Sequence, residues 1–145
     1  MLKPTLMTLL TALFAGNAMA DTVEFCPNPS EISNVGGVLT AKTESGKGEW
    51  LGLLNEPKAS ITTFDNAIFY SSNDKVSGVG HLRACTYKTT GKQTVDIRYR
   101  PEVTPDVAIR VVHTPAWKEM NGPFGITYFQ CSVQDLQGCA FREAE

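Results

Sequence analysis

The stretch VGHLRACTYKTTGKQTVDIRYR, residues 79–100, contains the most regular strand patterns of this chain. In its second half Val95, Ile97 and Tyr99 alternate with charged residues, the period of a strand with one buried and one solvated face. Its first half alternates in a similar way and is followed by a turn at Gly91. The stretch therefore predicts two strands joined by a turn.

In the first of these strands, strict alternation places His81, Arg83, Cys85 and Tyr87 on one face. The imidazole, guanidinium and phenol groups on that face form a candidate site for a carboxylate or a phosphate in a cleft. If Cys85 forms a disulfide bond, the same face is partly interior.

Further strand patterns lie on both sides of this stretch, with turn signals every ~10–15 residues. They cover residues 32–43, 49–54, 64–72, 107–113 and 125–133, with a final short edge at residues 140–141. We expect a bulge or bend at Gly36-Gly37 and one short helix within residues 58–67. About seven strands and no amphipathic helix predict an all-β, mainly antiparallel fold, either a small disulfide-bonded sandwich or a partly open barrel.

The first twenty residues have the layout of a secretory signal peptide. Lys3 is followed by a short apolar stretch that ends in Ala18-Met-Ala20, and the stretch falls short of the ~20 residues that a membrane-spanning helix needs. We predict cleavage between Ala20 and Asp21, which leaves residues 21–145 as a single β-rich domain in the periplasm or outside the cell.

The chain has four cysteines, Cys26, Cys85, Cys131 and Cys139. An even number in an exported chain suggests disulfide bonds, of which three arrangements are possible. We favour Cys131 with Cys139, because the residues between them have turn-forming character, and this leaves Cys26 with Cys85. Neither a Cys-x-x-Cys nor a His-x-x-His spacing occurs, so we expect no metal site and no cofactor.

Five short motifs are spread over most of residues 21–145. They are Cys26-Pro27, Trp50-x-Gly52, Phe64-x-x-Ala67, Gly80 with Cys85-x-Tyr87, and Cys131 with Cys139-x-Phe141. Their arrangement resembles a family of small exported bacterial proteins of unknown function. The resemblance implies export and disulfide bonds, and it assigns no activity and no catalytic residue.

The remaining candidate residues are His113 and Trp117. His113 is a candidate general base, as is His81, and it lies at the end of a predicted strand, where sites are often found. Trp117 lies in a predicted loop, residues 114–125, where we expect its ring to be partly exposed and to contact a ligand. The binding candidates are thus Trp117, His113, His81 and Arg83, and no residue is assigned to catalysis.

Charge and motifs limit the function classes. The formal net charge is −2 with no run of like charges, so we expect no nucleic-acid partner, and we expect no membrane anchor. The leading prediction is a non-enzymatic binding protein for an unknown protein or small molecule, which uses a strand face or residues 114–125. One alternative is a small exported hydrolase or other enzyme with a site around His81 or His113, and another is a secreted effector or inhibitor of a foreign enzyme.

Overall fold

A computed structural model describes residues 22–144, and the predicted signal peptide with its cleavage site lies outside them. The described chain forms eleven strands. In chain order they are β1 (Val23–Glu24), β2 (Ser33–Val35), β3 (Val38–Lys42), β4 (Glu49–Leu53), β5 (Ile61–Ser71), β6 (Gly80–Thr89), β7 (Val95–Tyr99), β8 (Ile109–Val111), β9 (Lys118–Asn121), β10 (Thr127–Cys131) and β11 (Phe141–Glu143). The helical turns among residues 22–144 are short 3₁₀ turns, and none of them is long and apolar enough to cross a membrane.

The strands form one antiparallel sheet that branches at β6. One edge of β6 pairs with β5, which continues to β10 and β9. The other edge meets β8 at Gly80 and β7 from Cys85 onward. β8 leads to β11 and β1, whereas β7 leads to β4, β3 and β2. The predicted all-β, mainly antiparallel fold is confirmed, and the sheet curls into a half-barrel.

A β-bulge interrupts the alternation of β6. Ile68 of β5 pairs with Ala84, but the next residue of β5, Phe69, pairs with Leu82. β6 therefore has one extra residue, Arg83, at this point. An extra residue reverses the phase of the side chains beyond it, because the side-chain period of a strand is two.

The bulge corrects the predicted face of β6. His81 and Arg83 are exposed on the outer side of the sheet, whereas Cys85 and Tyr87 are buried on the inner side. The prediction that these four residues share one face is therefore wrong. The bulge removes His81 and Arg83 from the core and makes them available to a ligand.

An aromatic cluster joins two branches of the sheet, the one that runs through β7 and β4 and the one that runs through β8 and β11. Trp50 of β4 packs edge-to-face on Tyr99 of β7 at 5.0 Å and on Phe141 of β11 at 6.0 Å between ring centroids. Tyr99 and Phe141 are themselves 5.0 Å apart. All three rings are buried, so they form the part of the core where these two branches face each other.

Both favoured disulfide bonds are present. Cys26 bridges to Cys85, and Cys131 bridges to Cys139. The first bond ties the segment after β1 to the centre of β6. Since such bonds persist in oxidising compartments, they indicate an oxidising environment of the kind that exported proteins meet.

Two local predictions are wrong. Residues 58–67 contain no helix, because β5 begins at Ile61 and pairs with β6 along its length. Gly36 and Gly37 do not form a bulge or bend within one strand. Both have positive φ, at 60° and 88°, and they make the tight turn of the β2–β3 hairpin, in which Val35 pairs with Val38.

A charged cluster fastens the last strand to β7. Tyr99 Oη and Arg100 Nη1 donate to Glu143 Oε1 at 2.7 and 2.6 Å, and Lys47 Nζ lies 3.9 Å from Glu143 Oε2. Burial alone would raise the pKa of Glu143, but the two hydrogen bonds and the positive charges of Arg100 and Lys47 lower it below its ordinary value. The folded state therefore favours the ionised carboxylate.

Replacing Glu143 with Gln is expected to lower the free energy of unfolding at neutral pH by about 1 to 2 kcal/mol, because hydrogen bonds to a charged group are lost. A carboxyl with a lowered folded pKa stabilises the fold above its ordinary pKa near 4.5, and this contribution disappears as the pH falls through the folded value. Urea unfolding should show a gap between wild type and Glu143→Gln at pH 7 that closes on acidification. The exposed Glu119→Gln variant is the control and should show no such gap.

Candidate functional site

His81 and Arg83 lie on the outer face of the sheet. His81 is the last member of a row of side chains that crosses four strands. The row consists of Met120 on β9, Tyr128 on β10, Tyr70 on β5 and His81 on β6, and the register places Met120 beside Tyr128 and Tyr70 beside His81. Tyr70 stacks on the imidazole at 5.6 Å between centroids, and Tyr128 lies 6.0 Å from Tyr70. We call these residues the outer row.

The outer row ends at a cleft of about 280 Å³. Its lining residues, which define what we call the His81 cleft, are His81, Arg83, Ala84, Asp96, Arg98 and Asp106. Arg83 Nη1 lies 3.4 Å from Asp96 Oδ2, and Arg98 Nη2 lies 3.4 Å from Asp106 Oδ1. Thr86 Oγ1 donates to the other Asp96 oxygen at 2.6 Å and so fixes that carboxylate.

The described residues hold no arrangement typical of nucleophilic catalysis. Neither His81 nor His113 has a hydrogen bond through its ring in residues 22–144, so no hydroxyl or carboxylate there completes a nucleophile–base pair. The two histidines also lie apart, on opposite sides of the Gly80–Ile109 pair where β6 meets β8. All four cysteines are in disulfide bonds, and no cluster of three or more metal-ligating side chains occurs in the same residues.

His113 is exposed in a strained conformation. It follows β8 with φ 53° and ψ 53°, and a 3₁₀ turn at Thr114–Ala116 comes next. A left-handed conformation is uncommon for a residue with a side chain. The structure thus places His113 on the surface but brings no other candidate site residue to it.

The prediction that Trp117 is partly exposed is wrong. Only 3% of the residue is exposed, and its indole packs edge-to-face on Phe69 at 6.3 Å between centroids. Its Nε1 has no hydrogen-bond partner among residues 22–144, so packing alone holds the ring in the core. Trp117 anchors the chain before β9 and presents no surface to a ligand.

A hairpin replaces most of the loop expected at residues 114–125. β9 pairs with β10, and Gly122 N donates to Ile126 O at 2.7 Å to close the turn. Phe124, at the tip, is 101% exposed and has φ 61°. Ile126 and Met120, at 49% and 38% exposed, flank it, and we call these three residues the hairpin tip.

The hairpin tip lies largely within residues 114–125, which the sequence predicted as a contact surface, but its three residues were not among the predicted binding residues. Its signal is the Gly-Pro-Phe-Gly sequence of residues 122–125, a strong turn signal between two extended segments. The outer row is joined to it, since the Tyr128 ring lies over Gly122, where a Cβ would approach to 3.3 Å. The tip and the His81 cleft are thus the two ends of one continuous outer surface.

These features define a small disulfide-bonded all-β domain with an exposed apolar hairpin tip and, within the described residues, no catalytic constellation. The chain belongs to the family described as "Protein of unknown function (DUF3757)", whose model matches residues 21–142. Membership in a family of unknown function is thereby confirmed, and of the motifs that predicted it the C-terminal cysteine pair is present as a disulfide bond. Comparison with curated proteins and with solved structures finds no match.

Proposed function

We propose that this protein is exported and acts as a non-catalytic binding protein that contacts a protein partner through the hairpin tip. Residues 1–20 are its signal peptide, and residues 21–145 are the single mature domain. The family match supports this boundary because it begins at residue 21, directly after the proposed cleavage site. The two disulfide bonds support an oxidising destination.

The observation that carries the proposal is the conformation of Phe124. A side chain in the left-handed region costs about 1–3 kcal/mol, and full exposure of the ring recovers none of that cost through packing within the chain. Such outliers cluster at ligand contacts. Exposed aromatic rings are also frequent anchors at the centres of protein interfaces.

The charges beside the hairpin tip favour a protein partner over a membrane. On β9 the positive Lys118 is followed directly by the negative Glu119, so this strand offers no net attraction for anionic lipid. β9 is also an exposed strand whose partner among the described residues is β10 alone. A partner with an apolar pocket for the Phe124 ring would meet free backbone groups alongside it.

The inhibitor class remains the second candidate because the hairpin tip projects a single apolar ring from a hydrogen-bonded turn. A ring in this position suits insertion into the cleft of another protein. Under this proposal the hairpin tip binds an enzyme, and it does so through the same three residues that would contact any other protein partner.

Replacing Phe124 with Gly is expected to abolish partner binding while leaving the free energy of unfolding unchanged or up to about 1 kcal/mol higher, because glycine relieves the strained φ. The measurement uses benzoylphenylalanine, a photo-crosslinking analogue, at position 124 of the exported protein. One discrete protein adduct is expected. Excess wild-type protein should suppress it, and excess Phe124→Gly should not.

Val35 provides the matched control, since it is apolar, 73% exposed and located on the distant strand β2. The crosslinker at position 35 should give no such adduct, and Val35→Ala should compete as well as wild type. Absence of an adduct at position 124, or equal competition by Phe124→Gly, would contradict the proposed contact. An intact mass of the exported chain that differs from the mass of a chain starting at Asp21 would contradict the proposed boundary.

A further inference from the structure

We propose that the His81 cleft binds one unit of an uncharged sugar chain, a ligand class separate from the protein partner of the hairpin tip. The cleft has three properties that such a ligand requires. Its charges cancel, its polar groups lie in donor–acceptor pairs, and an aromatic ring forms one wall.

The charge balance argues against a free anion. The cleft contains two guanidinium groups, Arg83 and Arg98, and each lies 3.4 Å from a carboxylate, Asp96 or Asp106. The pairs therefore leave no net charge to attract a phosphate or a carboxylate. An uncharged ligand can bind to a site that has no net charge.

The same pairs match the chemistry of sugar hydroxyls. A hydroxyl both donates and accepts, a guanidinium has five N–H donors, and a carboxylate has about four acceptor sites. The four side chains are between 43% and 55% exposed, so each retains free hydrogen-bonding capacity toward the cleft. Adjacent hydroxyls can thus donate to an aspartate and accept from the paired arginine.

Preorganisation favours binding at this cleft. The hydrogen bond from Thr86 fixes Asp96, and Asp96 in turn holds Arg83. These three side chains project from β6 and β7, which are paired at Thr86 and Asp96. Groups held on rigid strands lose little conformational entropy when a ligand binds.

His81 supplies the aromatic wall. Tyr70 stacks on the imidazole with an interplanar angle of 28°. His81 also lines the cleft. Aromatic rings pack against the apolar C–H face of a sugar, and this contact complements the hydrogen bonds of the arginine–aspartate pairs.

The size of the cleft limits the ligand. A volume of about 280 Å³ lies at the small end of ligand pockets, which suits one sugar ring. From His81 the outer row continues across β5 and β10 with Tyr70 and Tyr128. A sugar chain longer than the bound unit would meet these exposed-face rings next to the cleft.

The test uses the mature, disulfide-bonded protein with uncharged oligosaccharides derived from glucan, xylan, galactan and chitin. We expect at least one to bind, with amide shifts in a ¹H–¹⁵N titration confined to β5, β6, β7, β10 and the segment around Asp106. His81→Ala and Asp106→Ala should each weaken binding about tenfold, as expected for loss of one stacking contact or one pair of hydrogen bonds. Both residues are exposed, so neither change disturbs the core.

His113→Ala is the matched control because it removes the other exposed histidine, and it should bind the sugar as wild type does. Phe124→Gly should also bind the sugar as wild type does, because the sugar site and the hairpin tip are separate surfaces. Failure of all four sugar classes to bind would overturn the proposal, as would equal binding by His81→Ala. Tighter binding of inorganic phosphate than of any sugar at the same amides would also overturn it and identify an anion site.

Discussion

Removing the Cys26–Cys85 bond by replacing both residues with Ala is expected to lower the free energy of unfolding by about 4 kcal/mol. The two cysteines are 59 residues apart, so the bond removes much conformational entropy from the unfolded chain. It also joins the segment after β1 to the strand where the sheet branches. A loss of this size is a large part of the stability of a domain of this length.

The Cys131–Cys139 bond is the internal control, because it closes a loop of only 8 residues. Replacing that pair with Ala is expected to cost about 2–3 kcal/mol. Urea unfolding of the two double variants and wild type, with intact masses to verify the bonds, gives the comparison. An equal or larger loss for the short loop would contradict an entropic origin of the difference.

Replacing Trp50 with Ala is expected to lower the free energy of unfolding by about 3–5 kcal/mol. The residue is 1% exposed, and its ring contacts Tyr99 and Phe141, so its removal leaves a cavity between the two branches of the sheet. β7 and β11 then lose the ring that packs against both Tyr99 and Phe141. Chemical unfolding measures the loss directly.

Leu53→Ala is the control for Trp50→Ala, because Leu53 lies on the same strand but is 65% exposed. Its replacement should change the free energy of unfolding by less than about 0.5 kcal/mol. A Trp50→Ala variant as stable as Leu53→Ala would show that the aromatic cluster does not hold the branches together.

The sequence predicts those strands that have one buried and one solvated face. β7 alternates Val95, Ile97 and Tyr99 with charged residues, and the structure buries these three side chains. β9 has no such pattern, since all four of its residues are exposed, and it was expected to be loop. A strand at the edge of a sheet, without a buried face, leaves no periodic signal.

The candidate site was predicted only in part, for two physical reasons. His81 and Arg83 were identified, but their face was assigned wrongly because a single extra residue in β6 has no signature in the local alternation. Trp117 is expected on the surface because it lies in a predicted loop with two prolines, whereas contact with Phe69 from a strand far away in sequence buries it. A local sequence pattern therefore predicts neither long-range packing nor a β-bulge.

The pairing of β1 with β11 has a consequence for the timing of folding. Val23 pairs with Arg142, so the first strand has no partner until nearly the whole chain has been released. Pairings between residues this far apart form late, whereas the local β5–β6 hairpin can form early. β1 therefore stays unpaired until β11 is in place, and a chain truncated before β11 would leave β1 without a strand partner.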